Sequence, residues 1–192
     1  MKNREQGKSD SARNREVRVF FALWPDDDVR LRLHQLAQQQ SRRCGGRVMR
    51  AETLHLTLLF MGGVPVERLC ELQRAAAGVR ALAFCFDLDR FAGWRHNAIG
   101  YVALAEIPEG LLLLSKILRA SVAQTGFSFD RKSFKPHVTL LRKMEHPPHV
   151  QPISALEWKV REFVLVRSVL NAQGAGYEII DRWPLDQGVL TP

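Results

Sequence analysis

The sequence predicts an α+β fold. Three observations carry that prediction. Segments with helical spacing alternate with segments rich in β-branched and aromatic residues. Two pairs of neighbouring strand segments are joined by short turn sequences, which implies antiparallel pairing. One strand segment occurs twice: "HLTLLF" begins at His55 and "HVTLLR" at His137, identical at four of the first five positions.

The elements follow in order. Residues 17–25, "VRVFFALWP", read as a strand closed by proline. Residues 26–43 form an amphipathic helix, with Val29, Leu33 and Leu36 on one side, aspartates opening it and arginines closing it. That charge order complements the helix dipole. "CGG" at 44–46 stops it. A strand over 53–63 ends at paired glycines, and a helix over 65–79 starts near Pro65. Strands over 81–94 and 98–106 flank "RHN", a hairpin, with Phe84, Phe86 and Leu88 sharing one face. A third helix over 108–126 runs from a proline to a glycine. Strands over 135–143, 157–171 and 175–185 complete the chain, the last two as a hairpin turning at "NAQGAG". The two copies of the repeat each follow a helix and a loop. They suggest two similar lobes related by an approximate twofold, each giving one strand to a shared cleft.

Composition bounds the function. The chain has 192 residues and 46% hydrophobic residues, enough for a core in one domain or two packed lobes. Residues 1–16 are polar and carry no apolar signal-peptide core, so they read as a disordered leader before a single domain over 17–192. No apolar run reaches the roughly 20 residues of a membrane span. Cys44, Cys70 and Cys85 form no CxxC pattern, as expected of reduced thiols in a cytoplasmic protein. The net charge of +8 favours polyanionic partners, although three of these charges lie within residues 1–18.

The repeat carries the chemistry. Side chains two apart on a strand share a face, so His55 and Thr57 project together, as do His137 and Thr139. Leu56, Leu58 and Phe60 then face a core. With the two strands side by side, two imidazoles and two hydroxyls converge on one site suited to a phosphodiester. One histidine can take a proton from water while the other gives one to a leaving ribose oxygen. The threonines can donate hydrogen bonds to nonbridging oxygens. No metal or cofactor is expected, because the chain has no HExxH and no Cys/His cluster at ligand spacing. "HPPH" at 146–149 reads as a proline-rich loop and His96 as a hairpin residue.

With "RVFFALWP", "LHLTLLFMG", "FKPHVTLLRK" and the closing "EFVLVRS…GYEIIDRWPL", residues 17–185 resemble the two-histidine phosphoesterases. Within these they look like the bacterial RNA 2′,3′-cyclic phosphodiesterases, also called 2′-5′ RNA ligases. The resemblance implies a bilobal α+β domain, with antiparallel sheets flanking a central cleft and helices outside. It implies hydrolysis of a 2′,3′-cyclic phosphate to a 2′-phosphomonoester, with weak 2′-5′ ligation as a side activity. By position, His55 resembles the proton donor and His137 the proton acceptor. Thr57 and Thr139 match the phosphate-binding threonines, and Arg142 matches an arginine that contacts phosphate. Strict alternation would turn Arg142 away from His137, so its role requires the strand to end or bulge before it. Family members often carry arginines between the Trp94 and Tyr101 positions, where this chain reads "RHNAIGY". Trp94 and Tyr101 are candidates for stacking a base or for core packing. The expected partners are RNA with a 2′,3′-cyclic end or small cyclic nucleotides, acted on by a monomer without a membrane. The alternatives are a phosphodiesterase for small cyclic nucleotides or 2′-5′ linkages, a ligase, and a noncatalytic RNA-binding module.

Overall fold

The structure is a computed structural model and describes residues 15–129, 133–171 and 174–187. Most of the predicted leader, residues 1–14, lies outside the described residues, and Glu16 already opens the first strand. The strands are β1 (Glu16–Leu23), β2 (Arg47–Val48), β3 (Leu56–Pro65), β4 (Phe84–Trp94), β5 (Ile99–Ala103), β6 (His137–Arg142), β7 (Gln151–Val160), β8 (Glu162–Asn171) and β9 (Gly174–Pro184). The helices are α1 (Asp27–Cys44), α2 (Leu69–Ala77) and α3 (Glu109–Ala123).

The ladders between these strands are all antiparallel. They form one sheet in the order β7-β4-β5-β6-β3-β1-β8-β9, with β2 added on β6. The repeated strands β3 and β6 sit at its centre and pair through a single register position, Leu56 opposite Val138. The sheet therefore divides into two halves of matching order, each with its motif strand innermost. These are the two pseudo-symmetric lobes, and the gap where β3 and β6 part is the cleft between them.

The helices tie the halves into one unit. α1 lies in sequence between β1 and β3 but packs on β6 and β7 of the other half. α3 lies between β5 and β6 but packs on β3 and α2. Each half's apolar face is thus covered in part by a helix drawn from the other's stretch of chain. The sequence signals at α1 hold: the Asp26 carboxylate accepts from the Val29 amide at 2.9 Å, and Gly45 ends the helix at a φ of 67°.

Alternation along the motif strands separates core from cleft. Leu56 and Leu58, with Val138 and Leu140, join Leu33, Leu72, Leu111 and Leu118 in the main core beneath the helices. The opposite face of the β1 half carries a smaller cluster of Phe20, Ala22, Val164 and Val166, against which Trp24, Tyr177 and Ile179 pack.

The long strand predicted over 157–171 is two strands that meet at Arg161. β7 pairs with β4 and β8 with β1, at opposite ends of the molecule's strand order. The pattern explains the break. Trp158 and Val160 point to the main core in β7, whereas Phe163 and Leu165 do so in β8, so the inward set changes from even to odd positions. The Arg161 carbonyl at the junction accepts from the Leu185 amide at 2.7 Å. β2 is a further strand that the periodicity does not mark.

Candidate active site

Each motif histidine is fixed by the same local device. His55 Nδ1 lies 2.7 Å from the Thr53 carbonyl oxygen, and His137 Nδ1 lies 2.7 Å from the Lys135 carbonyl oxygen. A carbonyl oxygen only accepts, so both Nδ1 atoms donate. The tautomer follows: in each neutral ring Nε2 carries the lone pair, free to take or return a proton. In both cases the acceptor is two residues upstream, where the chain enters the motif strand. The duplicated sequence thus produces a duplicated geometry.

The two environments differ. The His55 ring stacks on Trp24, with centroids 5.6 Å apart and planes 9° apart. Phe20 and Tyr177 close around it at 4.7 and 5.2 Å. This apolar setting pushes the His55 pKa down to about 4, chiefly through desolvation, with added repulsion from His137 and Arg142 and an opposing contribution from the Thr53 carbonyl. His137 lies against Trp94 at 4.6 Å and Tyr101 at 5.7 Å. Burial lowers its pKa as well, opposed by the Lys135 carbonyl. Both rings are therefore neutral in the open cleft near neutral pH.

Two bulges shape what else reaches the cleft. On the β5–β6 ladder, Tyr101 pairs with Thr139 and Gly100 with Leu141, leaving Leu140 as an extra residue. This resets the alternation, buries both Leu140 and Leu141, and turns Arg142 to the face of His137 and Thr139. The bulge that the Arg142 assignment required is present. On the β1–β3 ladder, Ala22 pairs with Thr57 and Phe21 with Leu59, leaving Leu58 as the extra residue. The bulge falls at the same motif position and turns Phe60 into the cleft, where it is 41% exposed. The expectation that Phe60 faces the core is thereby corrected.

The cleft has a volume of about 800 Å³. His55, Thr57, His137, Thr139, Arg142 and Trp94 all line it. Tyr101 does not line it; its ring braces Trp94 at 4.4 Å and the His137 ring behind. Four half-buried polar side chains from two strands and one exposed arginine can surround a tetrahedral anion, with an imidazole on either side.

Sequence reasoning missed Phe20, Trp24 and Tyr177, the aromatic setting of His55. For two of them a signal existed, since Arg18, Phe20, Ala22 and Trp24 alternate along one face of "RVFFALW". The "HPPH" loop lies apart from the cleft, where His149 Nε2 accepts from Arg95 at 3.1 Å. Among the described residues, no three His, Cys, Asp or Glu side chains gather at metal-ligand spacing. No helix among them is long and apolar enough to cross a membrane.

Comparison with known proteins agrees with this geometry. The RNA 2′,3′-cyclic phosphodiesterase of Escherichia coli K12 is 30% identical over 172 residues, spanning 88% of this chain and 97% of that protein. The protein of the same name from Thermus thermophilus is 34% identical over 180 residues, spanning 88% and 90%. The crystal structure of E. coli LigT complexed with 3′-AMP superposes with a TM-score of 0.82 at 29% identity, covering 90% of this chain and 100% of that one. The family model described as LigT like Phosphoesterase matches residues 23–100 and 102–177, both motif strands included. The chain belongs to the LigT-like phosphoesterase family.

Proposed function

We propose that this chain hydrolyses RNA 2′,3′-cyclic phosphate ends to 2′-phosphomonoesters by acid–base catalysis between His55 and His137, without a metal. The observation that carries the reading is the pair of equivalent imidazoles, each locked through Nδ1 by a backbone carbonyl and facing one cleft. A binding module has no need of two histidines held in one tautomer. The names of the similar proteins support the substrate class.

In the proposed reaction His137 Nε2 takes a proton from water as the water oxygen bonds to phosphorus. The bond from phosphorus to the 3′ oxygen breaks, and His55 returns a proton to that oxygen. The 2′-phosphate remains. Thr57 and Thr139 donate to nonbridging oxygens, and Arg142 balances the charge that builds on them. The donor role of His55 requires its pKa to rise when the substrate binds. The phosphate anion supplies that rise by adding a negative charge beside the ring and offsetting that of Arg142.

One chain supplies both motif strands, so the site needs no second copy, which supports action as a monomer. Its three free thiols suit a reducing cytoplasm. A 5′-hydroxyl taking the place of water, with the same bond from phosphorus to the 3′ oxygen breaking, would join two strands through a 2′-5′ bond as a weak side activity.

The test is turnover of an oligoribonucleotide with a 2′,3′-cyclic phosphate end in excess chelator, with the product identified by phosphorus NMR. A 2′-phosphomonoester is expected. A 3′-phosphate product, or no turnover, would overturn the reading.

A further inference from the structure

The positive charge of the chain is not spread evenly. Residues 42–50, "RRCGGRVMR", hold four arginines and no acid. The fold sets this stretch beside the end of β6, where Arg142 and Lys143 follow one another. Resting on the proposed reaction, we propose that Arg47, with Arg42 and Arg43 behind it, is a docking surface for the RNA backbone. The reacting phosphate sits at Arg142, and phosphates further along the strand lie over these three arginines.

One opposition in the sheet makes the argument. Arg47 of β2 stands directly across from Arg142 of β6, and Val48 across from Leu141. Directly opposed residues share a face and bring their Cβ atoms within about 5 Å. Val48 and Leu141 turn to the main core, and both arginines are exposed on the other face. Like charges so placed repel and weaken a ladder. Elsewhere in this sheet such charges are answered. Arg167 has Glu178 across from it, and the two pair. Asp87 stands across from Glu157, which Lys159 pairs with at 3.4 Å. Among the described residues neither Arg47 nor Arg142 has an ion-pair partner. The pair lacks an anion on each side, and the reacting phosphate answers Arg142 alone.

The surroundings extend the surface in both directions. The Met49 amide donates to the Leu140 carbonyl at 2.9 Å, which continues the β2–β6 pairing up to the cleft wall that Met49 lines. Arg47 therefore stands at the cleft's rim. On the other side the Cys44 carbonyl accepts from the Glu145 and His146 amides at 3.2 and 3.1 Å, tying the last turn of α1 to the chain after β6. Arg42 and Arg43 are exposed on that turn. A cation there complements the helix dipole, but Arg47 lies outside the helix. Among the described residues Arg42, Arg43 and Lys143 have no ion-pair partner either. Of the nearby acids, Glu52 pairs with Arg50, and the Glu145 side chain folds over Gly45.

A row of unanswered cations leading out of a phosphate site suits the repeating charge of a nucleic-acid strand. The cleft's other end, along β1 and β8, is the weaker track. There Arg167 is paired, and Glu16 stands beside Arg15 and Arg18.

The experiment compares a nucleoside 2′,3′-cyclic phosphate, which carries no other phosphate, with an oligoribonucleotide bearing the same cyclic end. Glutamine is the replacement at 47, since a carboxylate there would pair with Arg142 and disturb the reaction itself. In Arg42→Gln/Arg43→Gln/Arg47→Gln, kcat/KM on the oligonucleotide should fall about tenfold, roughly two- to threefold for each exposed charge. On the mononucleotide it should hold. The slope of log kcat/KM against log salt should flatten by about 2 on the oligonucleotide, at roughly 0.7 for each phosphate contact. At low salt the thermal midpoint of Arg47→Gln should rise, because the opposition to Arg142 is relieved; a lower midpoint would make Arg47 a prop of the fold and overturn its role. Equal losses on both substrates, an unchanged salt slope, or losses from Arg15→Gln/Arg18→Gln alone would overturn the surface and leave the proposed reaction intact. Failure of the wild type to turn over either substrate would instead sink the reaction. The surface is then judged by binding of a 2′-phosphate-ended oligonucleotide, which should weaken about tenfold in the triple variant; unchanged binding would overturn it.

Discussion

Binding of an anion should recharge His55. In the open cleft the ring titrates near pH 4, yet a proton donor must hold its proton near neutral pH. Moving its pKa from about 4 to about 7 takes about 4 kcal/mol at roughly 1.4 kcal/mol per unit. One negative charge about 4 Å from the imidazole, at an effective dielectric constant of about 20, contributes about 4 kcal/mol. A single phosphate-like anion is therefore sufficient. Sulfate is a clean probe, because its charge is constant across this range. The assay is an NMR titration of the His55 ring, with and without saturating sulfate. The midpoint should move from about 4 to about 7 or above. Linkage adds a second readout: between those values sulfate affinity should fall about tenfold per pH unit, as binding takes up a proton. Arg142→Gln should raise the free midpoint, since Arg142 repels the imidazolium, and should weaken sulfate. A midpoint below about 5 in the sulfate-saturated protein would refute the reasoning, because His55 could not then act as the acid.

Four further outcomes follow from the same geometry. His55→Ala and His137→Ala should each lower kcat by roughly 10²–10⁴, and the double variant by less than the product, measured in steady state. Thr57→Ala and Thr139→Ala should each cost roughly 1–3 kcal/mol in kcat/KM, the loss of a hydrogen bond to a charged group. His55 also couples folding to pH. Its folded pKa lies below the unfolded value of 6.5, so the unfolded chain binds more protons between 6.5 and about 4. Stability from this group is complete above about 6.5 and falls by about 2–3 kcal/mol on acidification to about 4. Thermal unfolding of His55→Gln against wild type should show a shallower acid loss in the variant. Activity should survive exhaustive chelation, and loss restored by a divalent ion would contradict the mechanism.

The duplicated histidine and threonine were legible because polar side chains two apart are out of place in apolar strands. Alternation alone then put the four groups on one face, and α1 was legible from its aspartates, arginines and Gly45. Bulges were the first thing hidden. Leu58 and Leu140 are ordinary strand leucines, and only the registers of β1 against β3 and β5 against β6 show that each is an extra residue. Phe60 was accordingly assigned to the core, and Arg142 lacked a geometric route to the cleft. Tertiary assembly was the second. Tyr177 reaches His55 from the far end of the chain, and α1 and α3 exchange between halves, which no local pattern encodes. The break at Arg161 was legible in principle, as a change in parity from Trp158 and Val160 to Phe163 and Leu165, but it was masked by unbroken β-propensity.

The most direct test of the central claim, two equivalent imidazoles with opposite tasks at one phosphate, is the pH dependence of kcat in the wild type and the two single histidine variants. The wild-type profile should be bell-shaped, its limbs belonging to the coupled pair in the substrate complex. His137→Ala should lose mainly the acid limb, where the base becomes protonated, and His55→Ala mainly the alkaline limb, where the acid loses its proton. The opposite pattern would exchange the two roles. A wild-type rate that climbs steadily to about pH 10, or single variants that keep both limbs, would contradict two-histidine catalysis in this cleft.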